Sequence, residues 1–145
     1  MLAYDPSTNP LNNNEWSYPL TECVHVASMA LSVGCIGLVD LRLLGLGIQS
    51  CTPGQLVRDT EVWTLLGLFL AISSGLLIFS TDPLHFLTNG PFQFKMGVLL
   101  AGILYNYTIH RQAALAGSRA AGLIAAFSLA LWLSPVAAGI FTAFV

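Results

Sequence analysis

Apolar and polar positions divide this chain into a polar head and four long apolar runs. The head, residues 1–19 (MLAYDPSTNPLNNNEWSYP), is rich in Asn and Pro and has no Lys or Arg. The runs extend over about Leu20 to Gly47, Val62 to Ser80, Phe92 to His110, and about Ala120 to Val145. Each approaches or exceeds the ~20 residues that cross a bilayer core. Within lipid only a helix satisfies the backbone of such a segment. The intervening stretches QSCTPGQLVRDTE, TDPLHFLTNGP and RQAALAGSR are short, and short connections make consecutive helices antiparallel. The pattern therefore predicts an all-α, up-down four-helix membrane bundle over 20–145, preceded by the tail 1–19. Pro53-Gly54 reads as a turn, and Pro135 as a kink in the fourth helix.

Composition strengthens this reading. Hydrophobic residues make up 55% of the chain and charged residues 8%, against about 25% charged in soluble domains. The net charge is −2 with five scattered basic residues, which excludes a nucleic-acid footprint. Three cysteines without C-x-x-C spacing favour neither a disulfide framework nor a zinc site. The head lacks the basic and apolar parts of a signal peptide, so it is expected to be retained. Arg42, Arg58, Arg111 and Arg119 fall at one end of the predicted bundle and Lys95 at the other. The positive-inside rule then puts both termini outside the cytoplasm. Trp16, Tyr18, Tyr105 and Tyr107 suit interfacial belts, with core packing an equal reading for the two later tyrosines.

Ionisable groups in lipid need a partner, a wet cavity or a function. Asp40 and Arg42 lie two residues apart and point in different directions on a helix. Asp40 is expected to meet a base from another helix, with Arg111 the leading candidate, while Arg42 snorkels to the headgroups. A helix-locking ion pair is the first reading of these groups, and a proton or anion path the second. His25 has three readings: a haem-iron ligand, a Cu(I) ligand with Met29 and Met96, or an imidazole hydrogen-bonded to Glu22 or a neighbouring helix. Glu22-x-x-His25 has the spacing of half a di-iron site, but no second half exists. His85 can be a second haem ligand only if DPLHFLTNGP folds back over the bundle. Lys95 either snorkels or pairs with Glu22, or it holds a haem propionate or a lipid phosphate. No nucleophile–base set and no phosphate-binding glycine loop supports hydrolase or kinase chemistry.

Glu22, His25, Gly34, DLRLLG from Asp40 to Gly45, FQFKM from Phe92 to Met96, and Asn106 with His110 resemble a family of small bacterial four-helix membrane proteins that is itself uncharacterised. That resemblance implies the fold and an inner-membrane location. A more distant likeness is to the copper-resistance D membrane proteins and the haem-containing protoporphyrinogen oxidases. Its carriers are His25, Arg42 and Lys95, which resemble a first-helix His, a downstream Arg and a Lys opening a later helix. Two functions are expected to compete. One is a haem-b electron-transfer subunit linked to quinone, with His25, His85 and Lys95 at the cofactor. The other is a cofactor-free accessory subunit packed against other membrane-protein subunits. Copper handling by His25, Met29 and Met96 stands third.

Overall fold

The computed structural model describes residues 6–47, 49–117 and 119–142. It is all-α, with no strand among the described residues. Residues 1–5 of the predicted tail and 143–145 of the predicted fourth helix lie outside them.

Helix α1 (Ser17–Leu43) and helix α2 (Pro53–Phe79) each contain 27 residues. At 1.5 Å per residue each is about 40 Å long, and both are long and apolar enough to cross a membrane. Helix α2 begins within the predicted loop rather than after it. Thr52 accepts from the Gln55 N–H while the Gln55 side chain accepts from the Thr52 N–H, and Pro53 opens the first turn. This reciprocal cap turns Pro53-Gly54 from a turn signal into a helix start.

The connection after α2 folds into the short helix α3 (Pro83–Thr88), capped by Asp82. Asn89 then caps α4 (Gly90–Tyr105), accepting from the Phe92 N–H at 3.0 Å. Phe86 of α3 packs against both Phe79 and Phe92, with ring centroids 6.2 and 5.3 Å away, and those two rings stack on each other at 5.9 Å. Helix α4 passes through a π turn (Asn106–His110) into α5 (Arg111–Ala116), so one continuous rod runs through most of the predicted loop after the third span. Gly117, at φ +64°, ends it in the left-handed conformation that glycine adopts readily. Helix α6 (Ala121–Thr142) contains Pro135. The missing Pro135 N–H leaves the Leu131 carbonyl without its usual donor, and the Ser134 hydroxyl donates to that carbonyl at 3.0 Å.

Contacts fix the helix directions. His25 meets Ala71 and Ser32 meets Thr64, while Val39 and Val57 share a buried cluster. Helices α1 and α2 are therefore antiparallel. Glu61 pairs with Arg111, and Val57 clusters with Ala114, which sets α5 beside the start of α2. Helix α6 packs on α1 and on the α4–α5 rod, with Trp132 buried against Ile36, Leu68, Leu99 and Ile103.

The interior is small and polar as much as apolar: Ser28, Ser32, Asp40, Thr64, Ser74 and Ser128 are all buried. Large apolar side chains face outward on every long helix, among them Val26, Phe69, Leu76, Leu100, Leu104 and Leu123. A Cβ on Gly67 would lie 2.9 Å from the Ser28 carbonyl oxygen, so α1 and α2 approach each other backbone to backbone there.

Candidate functional site

Two groups of polar residues stand inside this scaffold, one near each end of α1. At the Glu22 end, His25 lies between α1 and α2. Its Nδ1–H donates to the Ala71 carbonyl at 2.9 Å and also reaches the Ser74 hydroxyl at 3.2 Å. A carbonyl can only accept, so the proton of the neutral ring sits on Nδ1 and Nε2 keeps its lone pair. Gly75 makes room for this ring: a Cβ there would be 3.1 Å from His25 Cε1 and 3.4 Å from Nδ1. Lys95, half-buried on α4, and Glu22 lie close enough for their charges to act on the imidazole.

The other residues expected here are placed as follows. Met29 is half-buried one turn after His25, and Met96 is exposed on α4. His85 is exposed on α3, its ring edge-on to Phe86 at 5.8 Å. Glu22 is exposed, and the described residues contain no Glu22–Lys95 ion pair within 4.0 Å. His25 takes its hydrogen bonds from α2, not from Glu22.

At the other end, the expected Asp40–Arg111 pair gives way to a different arrangement. Asp40 is fully buried, and its Oδ1 accepts from His110 Nε2 at 2.6 Å while its Oδ2 accepts from the Ser128 hydroxyl at 2.9 Å. Arg111 instead donates through Nε and Nη2 to the two oxygens of Glu61, at 3.1 and 3.2 Å. Residues 110 and 111 point about 100° apart on a helix, and the phase of the α4–α5 rod turns His110 inward and Arg111 toward the rim. Arg42 bonds the Cys51 carbonyl through Nε at 2.7 Å, tying the end of α1 to the next connection.

The buried trio has the carboxylate at its centre, with His110 and Ser128 as its donors. A nucleophilic triad needs the imidazole between the hydroxyl and the acid, so this set does not activate Ser128. It ties α1, the π turn and α6 together. A cleft of about 30 Å³ opens beside it, walled by α1, α2 and the π turn, with Glu61, Asn106, Tyr107, His110 and Arg111 on its lining. Sequence reasoning missed Glu61, which it placed in a loop, and Ser128, one small residue in an Ala-rich run. The signal for Ser128 was the second oxygen of Asp40, which also needed a donor.

The described residues hold no cluster of three or more His, Cys, Asp or Glu able to bind a metal ion. The cysteines Cys23, Cys35 and Cys51 are free.

Residues 17–145 match the model of a family of unknown function, DUF6644. The chain belongs to that family. The match covers all the long helices and begins where α1 begins, leaving the polar head outside. No curated protein and no solved structure matches the chain. Membership agrees with the likeness to an uncharacterised family and carries no activity with it.

Proposed function

We propose that this protein is a four-helix integral protein of the bacterial inner membrane, with both termini on the periplasmic side, that carries electrons through a haem b held by His25. Membrane embedding is supported by the outward apolar faces. Only 33% and 28% of the apolar windows of α1 and α2 are buried inside the molecule, whereas the core helix of a soluble protein would be mostly covered.

The observation that carries the haem reading is the His25 hydrogen bond to α2. A backbone carbonyl on Nδ1 fixes the ring and its tautomer and leaves Nε2 as a donor atom for iron. No described residue takes that nitrogen. Haem iron brings four nitrogens of its own, so a single protein imidazole suffices, as in five-coordinate haem. Lys95 would face a propionate, and the group would supply one-electron chemistry between a quinone and a partner subunit.

A cofactor-free accessory subunit is the second reading, favoured by the close Gly67 contact and the bare apolar surface. The two diverge in a reduced-minus-oxidised visible spectrum of the purified protein, with iron and copper analysis on the same sample. The haem reading expects a b-type α-band with stoichiometric iron. It also expects loss of the Soret band in His25→Ala while helicity and yield persist. Colourless, metal-free protein purified without cofactor loss would leave the accessory reading standing.

A further inference from the structure

The π turn and the cleft beside it raise a question that a purely structural Asp40–His110 pair does not answer. Single π turns inside α-helices recur at functional positions. Three polar groups on the π-turn side of this cleft have no hydrogen-bond partner among the described residues. The Tyr107 hydroxyl is buried and has no hydrogen-bond partner. Asn106 is 7% exposed, and its side-chain amide makes no bond. His110 is 2% exposed and uses Nε2 on Asp40, which leaves Nδ1 free.

Across the cleft, Thr60 and Thr64 donate to carbonyls of their own helix and keep lone pairs available. At the rim stands the Glu61–Arg111 pair, with side chains 31% and 37% exposed. Leaving the Tyr107 hydroxyl unsatisfied costs about 1–3 kcal/mol. A volume of about 30 Å³ admits one water, and a water needs two to four polar partners.

We propose that this cleft is a hydrated proton-access site, in which water held by Asn106 and Tyr107 links the Glu61–Arg111 rim to His110, and His110 exchanges protons with Asp40. A hydrated proton in the cleft binds at Nδ1 while the Nε2 proton passes to Asp40 Oδ1. The net transfer is one proton from the cleft water to Asp40: the imidazole ends neutral in its other tautomer, the carboxylate ends as the acid, and water is left in the cleft. The reverse step restores the start. The groups around His110 are Asp40 and Cys35 on α1, Glu61 on α2, Tyr105, Tyr107 and Arg111 on the rod, and the uncharged Ser128 on α6. The apolar cluster of Ile36, Leu68 and Trp132 packs against Tyr107, and the proposed path ends at Asp40. The proposal is independent of any cofactor at His25.

The test is proton exchange between the His110 ring N–H and water, read by NMR saturation transfer on full-length protein labelled with ¹⁵N-histidine in nanodiscs. His110→Gln assigns the signal. Wild type is expected to exchange at least tenfold faster than Asn106→Leu, whose side chain removes the amide and narrows the cleft. Thr60→Val, nearly isosteric, is expected to slow exchange in the same direction and decides the matter if Asn106→Leu does not fold. A wild-type signal protected from exchange, or equal rates in wild type and the variants, overturns the proposal.

Discussion

Asp40 has no exposed surface, and its two oxygens are divided between a histidine on one element and a serine on another. Removing only the carboxylate strands two donors in an apolar core. Asp40→Ala is therefore expected to cost about 3–5 kcal/mol, the range for breaking one side of a buried pair. Asp40→Asn keeps a carbonyl for one donor and should cost less. The double change Asp40→Leu with His110→Leu should recover part of the loss, because it removes a partner along with the charge. Thermal unfolding in one detergent compares the three, and Asp40→Ala melting with wild type would end the argument. The need of Asp40 for a partner was legible in the sequence, since a charge amid apolar residues must be satisfied. The partner was not. Arg111 carries a permanent charge and sits beside His110, and only the phase of the rod, with its π turn, decides which of the two faces α1.

Whole helices were legible as apolar runs, and their ends were not. Thr52, Pro53 and Gln55 spell a capping box, yet Pro53-Gly54 also spells a turn, and the cap wins because it satisfies backbone donors that the turn leaves free. Glycines on the long helices do not carry equal weight, and the sequence does not say which of them lies at a close approach. Gly67 lies against the Ser28 backbone, while a Cβ on Gly97 would meet nothing within 4 Å. Gly67→Leu is therefore expected to force α1 and α2 apart and to cost about 1–3 kcal/mol or more, as overpacking does. Gly97→Leu should change stability little. Equal melting points for the two would show that α1 and α2 do not meet at Gly67. Ser134→Ala probes α6 in the same assay. It strips the Leu131 carbonyl of the donor that stands in for the missing Pro135 N–H, and should cost about 1 kcal/mol.

At the scale of the molecule, the polar interior and apolar exterior are what a bilayer requires, because lipid provides no drive to bury large apolar side chains but makes small and hydrogen-bonding contacts worthwhile. Charge then sets direction. Arg42, Arg58, Arg111 and Arg119 belong to one end of the helices, around the cluster of Val39, Val57 and Ala114. Lys95 and His25 belong to the other. Basic residues are retained on the cytoplasmic side, so the orientation proposed above puts the head, which bonds the end of α2 through Asn9 and Asn12, on the periplasmic side. Single cysteines at the exposed positions Asn13 and Gln49, introduced after Cys23, Cys35 and Cys51 are changed to Ser, test this in intact cells. A membrane-impermeant maleimide should label Asn13→Cys directly and Gln49→Cys only once the inner membrane is permeabilised. The opposite pattern would invert the bundle and put His25 and Lys95 on the cytoplasmic side. Labelling of both without permeabilisation would mean that α1 does not cross.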